Sequence, residues 1–373
     1  MKATGIIAEF NPFTNGHAYF ISTIKKITGL PVIAVMSGSC VQRGLPAFAD
    51  KFLRAKAAIA GGVDLVLELP ARYTLASAEH FAKGGVNILR STGCTKILAC
   101  GIEHPDLNFA DIAAKVHNLK NTPQLHELIT KGKSYPQALK ELIPELPETP
   151  NDILALEYTQ AAPGLQMLYI PRHGEDYNSS KLGNYASATA VRQNWPNVEN
   201  AVPLTTLEII ADNGGYDEQL YWKILQHTLR SHTTEEIADH CTATEGLENL
   251  LKKAENAGNL TEALKQCSTK RYPISRIRRL FLQLALWRPR AEYLDTGPSP
   301  LRILAFNDTG RALIKTMQNT ANVPIITKVR PHPSSLSLPH LDTAATDLLA
   351  TLQNKPAASD YTTSPIYLSL KSK

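Results

Sequence analysis

Residues 5–17 read GIIAEFNPFTNGH, and this stretch decides the fold. Its first six residues form a short apolar run of strand type. After Gly16, apolar side chains recur at spacings of three and four residues, as they do along one face of a helix. Asparagine, proline and glycine between the two segments are typical of a turn. The stretch therefore predicts a strand, a polar turn and a helix that begins near Gly16.

The same alternation of apolar strand and helix continues through the first hundred residues. Further strands are predicted at 31–36, 63–69 and 96–101, and a fifth at 165–171. Near-continuous apolar strands separated by helices indicate a parallel sheet that is covered on both faces. We therefore predict a Rossmann-like α/β fold, in which ligands bind at the carboxyl ends of the strands.

Composition and turn-forming residues divide the chain into three parts. The 373 residues are 43% hydrophobic and 20% charged, the mix of an ordinary globular protein. Past residue 203 the pattern is mainly helical, and a cluster of glycine and proline at 295–300 marks a further change. We predict an α/β domain at 1–200, a helical domain at 201–297 and a small α/β region at 298–373.

The cysteines and the N-terminus exclude several classes of protein. Five cysteines are scattered without a Cys-x-x-Cys pair, which argues against a disulfide framework and a structural zinc site, and we predict no metal site built by the protein. The first apolar run is short and is followed at once by Glu9 and Asn11. We therefore expect neither a signal peptide nor a membrane span, and we predict a cytoplasmic protein.

A local basic stripe says more than the mild net charge of +5. Residues 270–302 contain eight Lys or Arg and only two acids. The predicted helix there has an apolar face formed by Ile274, Ile277, Phe281 and Leu284. We predict that the stripe binds nucleic-acid phosphates through Lys270, Arg271, Arg276 and Arg279. For any single arginine, a solvated helix face is nearly as good an explanation.

Thr14, Asn15, Gly16 and His17 form the first chemical motif. They lie where a strand ends and a helix begins, so free backbone N–H groups and the positive end of the helix dipole can bind a phosphate. His17 can donate a hydrogen bond to a phosphoryl oxygen as charge develops on it. The alternative is that Asn15 only caps the helix and His17 lies on the surface.

Ser187, Thr189 and Arg192 form a second motif at the start of a predicted helical turn. Two hydroxyls and a guanidinium within six residues can hold the distal phosphates of a triphosphate. Taken alone, an ordinary helix cap followed by a surface arginine is the better explanation.

Taken together, the two motifs resemble those of the (H/T)-x-G-H nucleotidyltransferase superfamily. A longer ordered set of segments, spread from residue 5 to about 328, is similar to the bacterial tRNA(Met) cytidine acetate ligase family. The segments are EFNPF at 9–13, MSG at 36–38, VQRG at 41–44, DLVLELP at 64–70, SAE at 77–79, NDILALEY at 151–158, EGLEN at 245–249, KRY at 270–272 and FN at 306–307.

The resemblance implies a Rossmann-like parallel sheet of the HxGH nucleotidyltransferase type, with a mainly helical C-terminal region and with ATP bound in residues 1–200. It implies that ATP activates acetate as acetyl-adenylate, with release of pyrophosphate. The acetyl group then passes to the exocyclic amine of the wobble cytidine in elongator tRNA(Met). Mg²⁺ is expected to bridge the phosphates, no membrane partner is implied, and the oligomeric state stays open.

The resemblance also implies an ATP site. In this chain it comprises Ile7, Ala8, Glu9, Phe10, Asn11, Pro12, Phe13, Asn15, Gly16, Phe20, Gly101, Asn151, Arg172, His173, Ser187 and Thr189. The expected catalytic residues are His17, Thr14 and Arg192. His17 would stabilise the pentavalent phosphoryl group, while Arg192 would hold the departing pyrophosphate. The family commonly has His at the position of Thr14, so the relative roles of Thr14 and His17 stay open.

Two other functions remain as alternatives. One is an adenylyltransferase or cytidylyltransferase that acts on a small cofactor precursor, which would not need the long C-terminal extension. The other is a nucleotide-sensing RNA-binding module without catalysis, which would not need both phosphate motifs.

Three charged residues near the predicted cleft are also open to interpretation. Lys51 and Arg54 either reach the ligand or form a solvated helix face, and the second is favoured. Glu68 ends a predicted strand, where a structural role is slightly favoured over one in the site.

Overall fold

The computed structural model of the chain describes residues 1–172, 182–329 and 340–369. Its strands are short and mostly apolar. They are β1 Ala3–Ala8, β2 Val32–Ser37, β3 Cys40–Val41, β4 Leu45–Pro46, β5 Leu65–Leu69, β6 Thr95–Ile102, β7 Gln166–Pro171, β8 Leu301–Phe306, β9 Ile325–Ile326 and β10 Ile366–Tyr367.

Helices connect and cover these strands. They are α1 Asn15–Thr28, α2 Lys51–Ala60, α3 Ala71–Thr74, α4 Ala78–Ser91, α5 Phe109–Leu119, α6 Pro123–Thr130, α7 Tyr135–Leu142, α8 Pro150–Ala161, α9 Ala188–Asn194, α10 Leu204–Ile210, α11 Glu218–Ser231, α12 Thr234–His240, α13 Leu247–Lys253, α14 Leu260–Cys267, α15 Ile274–Leu286, α16 Arg290–Leu294, α17 Asp308–Thr320, α18 His340–Leu352 and α19 Ser359–Thr362. Across the described ranges, none of the helices combines the length and the apolar character needed to cross a bilayer.

The main sheet has the strand order β10-β8-β5-β2-β1-β6-β7, with β9 beside β8. The five strands predicted up to residue 171 are present and run parallel, which confirms the predicted fold class. β8 pairs antiparallel to β5, with Ala305 opposite Val66, and β10 extends the sheet beyond it. The strands after the predicted boundary at residue 298, which are β8, β9 and β10, therefore belong to the same sheet as the five parallel strands.

Strand β2 shows why the strands are apolar throughout. Ile33 and Val35 pack into the core beneath α4, α5 and α8, whereas Ala34 and Met36 pack into the core beneath α1 and α2. Every one of these side chains is fully buried. A strand buried on both faces has no solvent-facing positions, so its sequence lacks the alternation of polar and apolar residues.

The helical part has its own core, built mainly from α11, α13, α14 and α15. Ile277, Phe281 and Leu284 of α15 are fully buried there, as their spacing predicts. The prediction was wrong for Ile274, the first residue of α15, which is largely exposed because the helix starts at the edge of this core.

A buried ionic cluster joins the C-terminal segment to the sheet. Lys51 of α2 contacts Glu68 of β5 and Asp360 of α19, each at 2.7 Å. Arg302 of β8 contacts the same two carboxylates, at 2.9 and 2.6 Å. All four side chains are fully buried, so two cations and two anions balance each other in the interior.

This cluster corrects two predictions. Lys51 does not belong to a solvated helix face and does not reach a ligand. Burial acts to lower its pKa, but Glu68 and Asp360 outweigh that effect and raise it. Arg302 does not belong to the basic stripe, because Glu68 and Asp360 neutralise it in the interior. Glu68 takes the structural role that was favoured for it.

Replacing Lys51 with Met should destabilise the fold strongly. The substitution leaves Glu68 and Asp360 buried with one cation between them, and removing one member of a buried ion pair costs about 3–5 kcal/mol. Urea unfolding of wild type and variant measures this cost. Lys83→Met is the matched control, since Lys83 pairs with Glu79 at 2.7 Å on the surface and should change stability by less than about 1 kcal/mol. Equal losses in the two variants would contradict the role of the cluster.

Candidate active site

The site lies at the carboxyl ends of β1 and β2, which are tied together by Arg54. This fully buried guanidinium of α2 donates to the carbonyl of Glu9 at 2.6 Å and to that of Ser37 at 3.1 Å. It also donates to the carbonyls of Gly38 and Ala49. Arg54 was predicted to be solvated or to reach a ligand. Instead it positions the backbone on which the site is built.

His17 lies in the first turn of α1, and its tautomer is set by the backbone. The N–H of Thr14 donates to Nδ1 of His17 at 3.0 Å, and the Thr14 hydroxyl lies 3.1 Å from the same nitrogen. Nδ1 is therefore an acceptor, and a neutral ring carries its proton on Nε2. Thr14 is the N-cap of α1, so the alternative in which Asn15 caps the helix is excluded.

The surroundings of His17 keep the ring neutral. It packs edge-on against Phe10, with 5.1 Å between ring centres, and at a tilt of 43° against Phe13, with 5.6 Å between ring centres. Burial, together with the positive charge of Arg172, lowers the pKa of His17 to about 3. At neutral pH the ring is thus an uncharged hydrogen-bond donor through Nε2. The nearby positive charge of Arg172 also favours the binding of an anion.

The turn between β1 and α1 is held by packing. Phe10 has a φ of 44°, in the left-handed region that residues with a side chain seldom adopt. Its ring is buried 5.0 Å from that of Phe13, and Phe13 fills the space above Gly61, where a Cβ would lie 2.2 Å from the ring. Strain of this kind persists only where the surroundings enforce it, and it is common at functional sites.

The second motif meets the first. Ser187 caps α9 by accepting from the N–H of Ala190 at 3.0 Å. Arg192 of the same helix donates to the carbonyl of Asn11 at 2.7 Å and to the Thr189 hydroxyl at 3.0 Å. Residues 181 positions apart in the sequence are thus joined directly at the carboxyl edge of the sheet.

Asn15 strengthens this junction. Its backbone N–H donates to the carbonyl of Ala201 at 3.0 Å. Its side-chain amide donates to Asn184 at 3.0 Å and to the carbonyl of Asn200 at 2.9 Å. Asn15 therefore fastens the segment around α9 to the start of α1.

Two glycines at this edge leave space that the described residues do not fill. A Cβ on Gly16 would meet the Thr14 hydroxyl at 3.6 Å, and one on Gly101 would meet the stem of Arg172 at 3.4 Å and the carbonyl of Ile170 at 4.0 Å. Neither glycine has a positive φ. Since neither protein packing nor backbone conformation requires glycine here, both positions fit a site where a ligand approaches the backbone closely.

The other residues predicted for ATP binding have varied surroundings. The side chain of Ile7 packs toward α4, where a Cβ on Gly85 would lie 2.6 Å from it. Only the backbone of Ile7 therefore faces away from α4. Ala8 and Phe20 pack against the core beneath α1 and α2. Asn151 starts α8 and donates to Glu103 after β6. Pro12 is buried beside Asn11, and His173 lies outside the described residues.

The predicted nucleic-acid residues are not equally accessible. Lys270 and Arg271 are exposed, and Arg271 pairs with Glu245 at 2.6 Å. Arg276 lies over the ring of Tyr272 at 5.0 Å. Arg279 is different, because it turns inward and donates to the carbonyl of Gln42 at 3.3 Å. Burial and the charge of Arg276 lower the pKa of Arg279 to about 10.

Comparison with known proteins gives the family. The family model for the HIGH Nucleotidyl Transferase family matches residues 1–364. A tRNA(Met) cytidine acetate ligase of Clostridium novyi is 34% identical over 411 aligned residues, with 99% of this chain and all of that protein covered. One of Lysinibacillus sphaericus is 32% identical, with 98% of this chain and all of that protein covered. The chain belongs to the tRNA(Met) cytidine acetate ligase family.

A solved structure of this type matches the whole fold. Thermotoga maritima TmcAL bound with alpha-thio ATP superposes with a TM-score of 0.88 at 29% sequence identity, covering 99% of this chain and all of the other. The family resemblance predicted from the sequence motifs is thereby confirmed, and so is the nucleotidyltransferase-type sheet. Within the described ranges, no three His, Cys, Asp or Glu side chains are grouped as metal ligands.

The proton on His17 should not titrate near neutral pH. Its pKa of about 3 lies below the ordinary value of 6.5, so stability should fall as pH decreases through 6.5 toward 3, where only the unfolded chain gains this proton. Histidine ring NMR signals, assigned by His17→Gln, should stay constant for His17 from pH 8 to pH 5. His104 is the control, because its hydrogen bond to Asp152 raises its pKa above 6.5. A His17 signal that moves near pH 6.5 would contradict the half-buried neutral ring.

Proposed function

We propose that this chain is an ATP-dependent ligase that activates acetate as acetyl-adenylate and acetylates the wobble cytidine of elongator tRNA(Met). One observation supports the proposal: Arg192 donates to the carbonyl of Asn11, which joins the second phosphate motif to the turn that leads to the neutral His17. The related ligases named above, matched over nearly their full length, support the same activity.

The geometry suits adenylation. Acetate attacks the α-phosphorus of ATP in line with the departing pyrophosphate, and the protein supplies positioning and charge neutralisation. His17 would donate from Nε2 to a non-bridging oxygen of the α-phosphate, where negative charge builds up in the transition state. The ring is neutral before the reaction, and the Thr14 N–H already holds its Nδ1. The ring therefore needs no reorientation as the transition state forms.

The leaving group would be bound by α9. Arg192 offers a guanidinium, and Ser187 and Thr189 offer hydroxyls at the same helix N-terminus. Arg172 adds positive charge near His17. Mg²⁺ fits this arrangement as an ion that bridges phosphate oxygens, since it is commonly bound through substrate and only one or two carboxylates. There it would supply charge neutralisation for the pyrophosphate.

The basic surface suits the RNA substrate. Lys270, Arg271 and Arg276 lie on or beside α15, and this helix contacts the loop between β3 and β4 at the edge of the site. Phosphate contacts of this kind position a nucleic acid without reading its sequence. A transferase for a small cofactor precursor would have no use for such a surface, which favours the ligase over that alternative.

ATP–pyrophosphate exchange tests this function. Wild type should catalyse exchange that depends on acetate, and His17→Ala should lower its rate by about 100-fold or more, since loss of one such donor costs about 10²–10³ in rate. His80→Ala is the control, because that ring lies at the exposed start of α4.

Adding elongator tRNA(Met) should then give acetylated tRNA. ATP binding without exchange in the presence of acetate would overturn the proposal and point to a precursor of a cofactor as substrate. ATP binding without pyrophosphate release, with acetate and with cofactor precursors alike, would point to the nucleotide-sensing module without catalysis.

Gly101→Ala tests the predicted nucleotide space separately. Among the described residues, a Cβ there comes nearest to the flexible stem of Arg172, at 3.4 Å, so thermal stability should stay close to wild type. Affinity for a non-hydrolysable ATP analogue, measured by calorimetry, should fall by about tenfold or more, because about 1.4 kcal/mol of lost contact produces that factor. Gly258→Ala, in the helical part, is the control. Unchanged affinity in Gly101→Ala would place the nucleotide elsewhere.

A further inference from the structure

Glu9 is a carboxylate that adenylation does not explain. It follows β1 directly and stands only eight residues before His17, at an edge that must receive a polyanionic nucleotide. Its Oε1 accepts the backbone N–H of Gln42 at 2.6 Å, and its carbonyl is held by Arg54. A fixed negative charge beside phosphates costs binding energy, so its presence calls for a different role.

The contacts of Glu9 lead to the surface proposed for tRNA. Gln42 lies in the loop between β3 and β4, and its carbonyl accepts from Arg279 of α15. The two backbones touch at Gly44, where a Cβ would lie 2.2 Å from the N–H nitrogen of Arg279. Arg279, Gln42 and Glu9 thus form a continuous path from the basic helix to the end of β1. Glu9 therefore lies on the side of the site that is connected to the surface proposed for tRNA.

The amine that receives the acetyl group can donate a hydrogen bond and a proton to a carboxylate. The exocyclic N4 amine of cytidine is a hydrogen-bond donor, and Glu or Asp side chains accept from it in nucleic-acid complexes. Uridine has a carbonyl oxygen at the same position, which a carboxylate repels. This amine is also a weak nucleophile, because its lone pair is delocalised into the ring, so it needs a base to take its proton.

We propose that Glu9 binds the N4 amine of the target cytidine and is the general base for acetyl transfer. This inference rests on the proposed function and extends it to the second step. The N4 nitrogen attacks the acetyl carbonyl carbon, and a C–N bond forms. One N4 proton passes to the Glu9 carboxylate. The bond from the acyl carbon to the phosphate oxygen breaks, and AMP leaves with the electron pair. The proton then passes from Glu9 to solvent.

The charges around Glu9 fit this role. Burial raises the pKa of its carboxyl, while the Gln42 N–H and the charges of Arg192, Arg54 and Arg43 oppose the rise. Burial raises the pKa of the neighbouring Cys40 and Tyr158, and the charge of Glu9 adds to this rise. Both groups therefore stay neutral. A carboxyl whose pKa is moved toward neutral pH is a better general base than an ordinary one.

Single-turnover acetyl transfer tests the role of Glu9. Enzyme and elongator tRNA(Met) are mixed with chemically prepared acetyl-adenylate, so that transfer is measured without the ATP step. Glu9→Gln keeps the acceptor for the Gln42 N–H but cannot take a proton. The transfer rate should fall by about 10²–10⁴-fold, the usual contribution of a general base. The transfer rate of wild type should decline at acid pH, and this decline should disappear in the variant.

Acetate-dependent ATP–pyrophosphate exchange by the same variant separates the two steps. The ratio of transfer rate to exchange rate should fall by about 100-fold or more. Equal losses in both reactions would overturn the proposal and assign Glu9 to the nucleotide, and full transfer by Glu9→Gln would overturn it outright. Glu127→Gln, an exposed carboxylate of α6, controls for the charge change. Failure of wild type in acetate-dependent exchange would instead refute the proposed function itself.

Discussion

The site depends on one buried guanidinium. Arg54 donates to four backbone carbonyls, those of Glu9, Ser37, Gly38 and Ala49, and so fixes the carboxyl ends of β1 and β2 relative to α2. Burial lowers the pKa of Arg54 to about 10, yet the group stays charged at neutral pH. Carbonyl dipoles compensate this charge in place of water, so the loops cannot separate without leaving a buried cation unsatisfied.

The buried cluster of Lys51, Glu68, Arg302 and Asp360 extends this rigidity to the C-terminal segment. Its members come from α2, β5, β8 and α19, so the sheet edge far from α1 is fixed to the same helix that carries Arg54. Asp342 of α18 completes the arrangement by accepting the N–H of Ala71, and burial raises its pKa to about 7. Balanced buried charges specify one docking geometry more than they add stability.

Sequence reasoning predicted what depends on local pattern. The five parallel strands follow from apolar runs between helices, and the position of His17 at the start of α1 follows from the turn that precedes it. Arg54, Lys51 and Arg302 were misjudged because a charged residue in an otherwise ordinary helix or strand gives no sign of its distant partners. Those partners lie up to 309 positions away, as Asp360 does from Lys51. The bond from Arg192 to Asn11 has the same character, and only the family resemblance linked its two motifs.

The two steps of the proposed reaction need opposite electrostatics, and residues 9–17 supply both. Adenylation needs donors and cations, and in our proposal these are His17 in the first turn of α1, Arg172 after β7 and Arg192 in the last turn of α9. Acetyl transfer needs an acceptor for a proton, which Glu9 provides at the end of β1. Arg192 binds the backbone between them at Asn11, so the two ends keep a fixed distance. In the proposed mechanism, an acetyl group activated beside His17 would react beside Glu9 within the same site, which would shorten the exposure of acetyl-adenylate to water.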